Sequence, residues 1–80
     1  MKGFKGVIQF TEEFELADGY LMVNSDLNTN VKVRPSTRGL PNSYQLDWPD
    51  GTWITMDVDE MVSVFNKGYI KIVKQDKDNV

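Results

Sequence analysis

Three cationic side chains with neighbouring hydroxyl and glycine residues have the chemistry of an anion-binding loop. The group consists of Lys32, Arg34 and Arg38, with Ser36, Thr37 and Gly39. A guanidinium group pairs well with phosphate or carboxylate oxygens, and backbone N–H groups near a glycine add further donors. The spacing matches no phosphate-binding motif. We therefore interpret the segment either as a solvated basic loop or as a local contact with nucleic acid or an acidic protein.

The polar run of residues 24–30 contains the first half of a calcium-binding pattern. Asp26, Asn28 and Asn30 alternate as the first ligands of such a loop do. The sixth position is Val31, where glycine is needed, and the twelfth is Thr37, where a bidentate carboxylate is needed. The run therefore predicts a polar turn.

A second carboxylate group, Asp57, Asp59 and Glu60, has the charge to hold Mg²⁺ weakly but suits the start of a helix better. Asp57 is expected to cap the helix, with Glu60 completing a capping box. An apolar stripe at helical spacing follows, made of Val58, Met61, Val62 and Phe65, and Gly68 ends the helix. Because both carboxylate groups have structural explanations, we expect no metal or other cofactor.

The segment of residues 44–57 is predicted to form a hairpin with one tryptophan on each side. Pro49, Asp50 and Gly51 favour a type I turn in which the glycine takes positive φ. In the register that this turn sets, Trp48 faces Thr52, and five large apolar residues share one side. These are Tyr44, Leu46, Trp48, Ile54 and Met56. Trp53 then lies on the other side with Gln45, Asp47 and Thr55, where a partner can reach it.

An earlier hairpin is predicted around Asp18 and Gly19, a dipeptide typical of the two-residue type I′ turn. The resulting register pairs Leu16 with Leu21 and Phe14 with Val23 on an apolar side. Ala17 with Tyr20, Glu15 with Met22 and Glu13 with Asn24 form the other side. We therefore expect Tyr20 and Met22 to point outward.

Three further strands are predicted at Phe4–Phe10, Val31–Arg34 and Tyr69–Val73, and the tail 74–80 is expected to be flexible. Residues 1–80 then form a single α+β domain. Its architecture is a curved antiparallel sheet of five to six strands, including two hairpins, with one short helix before the last strand. A small barrel of the SH3-like or OB-like kind is compatible with the same element order and stays open.

The composition excludes several classes of protein. The 80 residues contain no cysteine, so neither a disulfide nor a thiolate metal site is available. Histidine is also absent, so catalysis would depend on carboxylates, hydroxyls or lysine, and we expect no enzyme. No apolar run is long enough to span a membrane or to form a signal peptide, so we expect a cytoplasmic protein without a membrane partner.

We expect a non-enzymatic protein-binding domain, in the manner of small phage or mobile-element proteins that inhibit or modulate a larger host protein. An acidic and aromatic surface would contact a basic surface of that partner. Its predicted residues are Trp53, Asp47, Asp50, Asp57, Tyr20 and Met22. The alternative is a nucleic-acid-binding module in which Lys32, Arg34 and Arg38 hold phosphates and Trp53 or Tyr20 stacks a base. A homodimer joined through an edge strand also stays open.

Overall fold

The computed structural model describes residues 4–36 and 42–76, and these residues form an α+β domain. In chain order the elements are β1 (Gly6–Phe10), β2 (Phe14–Glu15), β3 (Leu21–Met22), a 3₁₀ helix (Asn24–Asp26), β4 (Val31–Pro35), β5 (Ser43–Asp47), β6 (Trp53–Asp57), α1 (Val58–Asn66) and β7 (Ile70–Gln75). Five strands form an antiparallel sheet in the order β6-β5-β4-β1-β7, and β2 and β3 form a separate two-stranded sheet. The α+β class is thus confirmed.

The five-stranded sheet of the described residues is open, with β6 and β7 at its two edges. A closed SH3-like or OB-like barrel is therefore not what these residues form. One face of this sheet carries the core residues of β1, β4 and β5, and the helix and the β2–β3 hairpin add their own buried side chains to the same core. No helix in the described ranges is long and apolar enough to cross a membrane.

The hairpin of β5 and β6 confirms the register predicted from its turn. The N–H of Trp48 donates to the carbonyl of Thr52 at 2.8 Å, and Gly51 adopts a φ of 93°. Leu46 then pairs with Ile54. Trp48 is only 7% exposed and stacks on Phe10 with ring centroids 6.0 Å apart, whereas Trp53 is 49% exposed. The two tryptophans therefore lie on opposite faces, as the sequence predicted.

The predicted register of the β2–β3 hairpin is wrong by one residue. Phe14 pairs with Met22, and the N–H of Leu16 donates to the carbonyl of Tyr20, which leaves a three-residue loop. Only Gly19 of that loop has positive φ, whereas a type I′ turn needs two such residues. Because alternate residues face opposite sides, the shift buries Met22 completely and leaves Leu21 58% exposed.

The helix begins and ends near the predicted residues, but its buried face differs. Met61 and Val64 are the buried residues, and Phe65, a member of the predicted apolar stripe, is 39% exposed. The stripe that faces the sheet is thus centred on Met61 and Val64. Gly68 ends the helix as predicted, with a φ of 81° and its N–H bonded to the carbonyl of Phe65.

The predicted capping box is absent. Asp57 is the residue before the helix, but its side chain makes no capping hydrogen bond. Glu60, the predicted second member, instead accepts a hydrogen bond at 2.6 Å from the N–H of Ala17 in the β2–β3 loop. This bond connects the first turn of α1 to the hairpin, so Glu60 stabilises tertiary rather than local structure.

Strand β7 runs beyond its predicted end and contains a bulge opposite β1. Ile8 pairs with Ile72 but Val7 pairs with Lys74, so Val73 is the extra residue. The chains approach so closely here that a Cβ atom on Gly6 would overlap the carbonyl oxygen of Lys74. Glycine at position 6 is therefore required by packing. The predicted flexible tail is partly replaced by strand, since β7 includes Lys74 and Gln75, and residues 77–80 lie outside the described ranges.

Candidate functional site

The candidate site is the outer face of the five-stranded sheet, which is the face turned away from the core. Directly paired residues of neighbouring strands point to the same face of a sheet. The pairings place one residue from each strand in a single row across this face. The row reads Trp53, Asp47, Lys32, Val7 and Lys74. An aromatic residue, a carboxylate and two lysines therefore share one surface.

Strand β4 provides two cations to the outer face because its sequence alternates. Val31 and Val33 are buried in the core. Lys32 and Arg34 alternate with them along the strand, so both point outward and both are exposed. Lys74 reaches the same face by a different route. The β7 bulge next to Val73 changes which side the following residue faces, and it places Lys74 beside Val7.

A groove of about 840 Å³ lies among these strands, and we call it the cationic groove. Its charged lining residues are Lys5, Lys32, Arg34, Lys74, Asp47 and Asp76. In the described ranges the other two basic residues are Lys67 and Lys71, so four of six line the groove. Of the eleven carboxylates in those ranges, nine lie elsewhere. The groove is thus positively charged on a protein whose net charge is −3.

Two of the four cations in the groove form ion pairs. Arg34 Nε lies 3.7 Å from Asp47 Oδ2, and Lys74 Nζ lies 4.0 Å from Asp76 Oδ1. Within the described part of the chain, Lys5 and Lys32 form no ion pair. These two ammonium groups therefore remain available to an anion, although Asp47 is the strand neighbour of Lys32 and the Asp76 N–H donates to the Lys5 carbonyl.

Trp53 lies beside the groove rather than in its lining. Its direct neighbour on β5 is Asp47, whose Oδ1 accepts a hydrogen bond from Gln45 Nε2 at 3.0 Å. Lys32 is the next residue along the row, so Trp53 is two strand spacings, roughly 10 Å, from it. About half of the indole surface is accessible, and it borders a charged groove.

The structure brings together residues of the predicted protein-binding surface and cations of the predicted anion-binding group. Trp53, Asp47 and Asp57 from the acidic and aromatic group lie on the outer face with Lys32 and Arg34 from the anion-binding group. The sheet itself unites them, since β4, β5 and β6 are consecutive neighbours. Arg38 lies outside the described residues.

The other predicted contact residues do not join this face. Met22 is completely buried, which corrects its predicted outward position, and Tyr20 packs half-buried against the core. Burial raises the pKa of the Tyr20 hydroxyl, and the nearby Asp26 carboxylate raises it further. Asp50 lies in the β5–β6 turn, where its Oδ1 accepts the N–H of Thr52 at 2.9 Å, and this bond lowers the pKa of the carboxyl.

Two cations of the groove, Lys5 and Lys74, were missed from the sequence, for different reasons. Lys5 alternates with Phe4 and Gly6 in the predicted strand Phe4–Phe10, so alternation alone was a sufficient signal for its outward position. Lys74 was assigned to a flexible tail, and no simple sequence signal predicts the β7 bulge that turns it outward. Gly6, where a Cβ atom would overlap the Lys74 carbonyl oxygen, is the indication that the sequence gives of a close backbone approach.

The opposite side of the molecule is acidic. The bond from Ala17 to Glu60 places the β2–β3 loop against the first turn of α1, and both segments carry carboxylates. On the adjoining hairpin surface, exposed Leu21 pairs with exposed Glu15. In the described ranges, no group of three or more Asp, Glu, His or Cys residues is arranged to hold a metal ion.

Comparison of the chain with protein-family models, curated proteins and solved structures finds no match to any of them.

Proposed function

We propose that the protein is a non-enzymatic, cytoplasmic binding domain whose outer sheet face binds an anionic partner. The observation that carries the proposal is the separation of charge. Four of the six described cations line one groove, while nine of the eleven described carboxylates lie elsewhere. A groove of one charge sign attracts oppositely charged ligands and raises their local concentration.

The two lysines without an ion pair support anion binding, because the carboxylates of the groove do not pair with all of its cations. The Arg34 and Lys74 charges are already matched by Asp47 and Asp76. Lys5 and Lys32 form no ion pair in the described residues, although Asp47 is the strand neighbour of Lys32, so each ammonium group can still bind a ligand anion. Ammonium groups hold oxyanions as mobile point charges, which suits a ligand with several phosphates or carboxylates.

The proposal is tested by removing one cation inside the groove and one outside it. Lys32→Gln and Lys67→Gln change the net charge equally, and both side chains are exposed. Inorganic polyphosphate is titrated into each protein at low salt, with affinity measured by calorimetry. Lys32→Gln is expected to weaken binding about two- to fivefold, the effect of one surface charge contact, and Lys67→Gln much less. Equal affinities, or no saturable binding to the native protein, would contradict the proposal.

A second candidate function is binding to a larger protein with a basic surface, as in small phage or mobile-element proteins that modulate a host protein. The acidic side supports it, because exposed Leu21 lies against Glu15 there and provides apolar area within a negative field. The predicted site around Trp53 supports it less, since the carboxylates of Asp47 and Asp50 are already bonded within the protein. Affinity capture with the native protein and with Leu21→Ser tests this candidate. The native protein is expected to capture a partner that the variant does not.

A further inference from the structure

We infer that the anionic ligand is single-stranded nucleic acid, with phosphates over β4 and β1 and a base stacked on Trp53. This inference rests on the proposed function, since it names the ligand of the same face. It adds a role for the aromatic residue beside the cationic groove, which anion binding alone does not use.

The cations have a spacing that suits a phosphate chain. Lys32 and Arg34 lie two residues apart on the same side of β4, which separates their Cα atoms by roughly 6.6 Å. Successive phosphates of an extended strand are separated by a similar distance. Lys74 lies on the other side of Val7 in the same row as Lys32, so cations border the path on both sides. A backbone that passes Val7 thus has Lys32 and Arg34 on its β4 side and Lys74 on its β7 side.

The indole of Trp53 lies where the bases of such a strand would extend. With phosphates near Lys32, the bases project across β5 towards β6, and Trp53 is roughly 10 Å from Lys32 in that direction. Stacking on an aromatic ring accepts any base, because every base has a π face. Asp47 lies between the two residues, and its two carboxylate oxygens are held by Gln45 and Arg34.

The same features argue against the other polyanions. A duplex keeps its bases paired and stacked inside, so the Trp53 ring would have no base to contact. A polyphosphate uses the lysines but has no planar group for Trp53, and an acidic peptide has one only where it carries an aromatic side chain. Single-stranded nucleic acid carries a planar base with every phosphate, so it engages both the groove and the ring in any sequence.

The test compares ligands that share phosphates but differ in bases. The native protein is titrated with a twelve-nucleotide oligo(dT), with an abasic deoxyribose-phosphate oligomer of the same length, and with a duplex. Oligo(dT) is expected to bind about tenfold more tightly than the abasic oligomer, the value of roughly one base stack. Its log K is expected to fall with log salt with a slope of about −2 to −3, for three to four phosphate contacts.

Variants of Trp53 separate stacking from charge. Trp53→Ala is expected to remove the advantage of oligo(dT) while leaving abasic binding unchanged, and Trp53→Phe, which keeps a ring, is expected to retain most of it. Fluorescence of the native protein should be quenched on binding, since Trp53 is half exposed and Trp48 is buried. A melting curve for each variant shows that it is folded.

Each alternative result has a distinct meaning. Equal affinity for oligo(dT) and the abasic oligomer, with no effect of Trp53→Ala, would overturn the nucleic-acid inference and leave anion binding intact. Tighter binding to the duplex would also overturn it. No binding to any of the three ligands would overturn the proposed function itself.

Discussion

Replacement of Trp48 by alanine should reduce the free energy of unfolding much more than replacement of Trp53, because only Trp48 lies in the core. Trp48 is 7% exposed, stacks on Phe10 with an interplanar angle of 13°, and donates from Nε1 to the carbonyl of Asp26 at 3.2 Å. Truncation leaves a large cavity and an unmatched carbonyl, so Trp48→Ala should cost about 3–5 kcal/mol. A domain of 80 residues has a total stability of roughly 4–12 kcal/mol. The variant should therefore lose a large share of its free energy of unfolding.

Trp53→Ala should cost much less. Half of the indole is in water in the native protein, so the apolar area lost on truncation corresponds to about 1–2 kcal/mol, and less if the unfolded chain is compact. Both variants are unfolded in urea and followed by far-ultraviolet circular dichroism, because tryptophan fluorescence differs between them. Trp48→Phe serves as a control that keeps the stack on Phe10.

One outcome would refute this reasoning directly. If Trp53→Ala lost as much stability as Trp48→Ala, the outer face would be a second core and no longer an accessible surface. The binding role of Trp53 would then have to be abandoned together with the ligand path drawn across β5.

Three further substitutions test the fold that positions the site. Gly6→Ala should destabilise by about 1–3 kcal/mol, because the new methyl group overlaps the carbonyl of Lys74, and an unchanged urea midpoint would disprove the close approach at the bulge. Glu60→Ala should cost about 0.5–1.5 kcal/mol through loss of the bond from the Ala17 N–H, measurable as faster amide exchange at Ala17. Phe65→Ser should cost only about 1 kcal/mol by thermal melting, since that ring is 39% exposed. A loss of about 3 kcal/mol or more would show that Phe65 is a core residue.

The sequence predicted best where a local signal has a single structural solution. A proline at the first turn position and a glycine at the third allow one register, and the β5–β6 hairpin has it. Gly68 likewise ends the helix because only glycine adopts positive φ there without strain. Alternation in β4 was also sufficient to place Lys32 and Arg34 on one face. These signals fix the faces of three neighbouring strands.

The prediction failed where a local sequence pattern is compatible with two structures and tertiary contacts determine which one forms. Asp18 and Gly19 suit both a two-residue and a three-residue loop, and the shorter was the wrong choice. The capping-box pattern at Asp57 was equally local, but the Glu60 carboxylate is used by the hairpin instead. The β7 bulge depends on contact with β1, so the position of Lys74 could not follow from its own segment.

The central claim, that the outer sheet face is the binding surface, is tested most directly by mapping it with NMR. Oligo(dT) is added to uniformly ¹⁵N-labelled protein, and amide shift changes are followed residue by residue. The largest changes are expected at Lys32, Arg34, Trp53 and the Trp53 indole N–H, with little change at Leu21. Changes concentrated on the β2–β3 hairpin and α1, or none on β4 at saturating ligand, would contradict it.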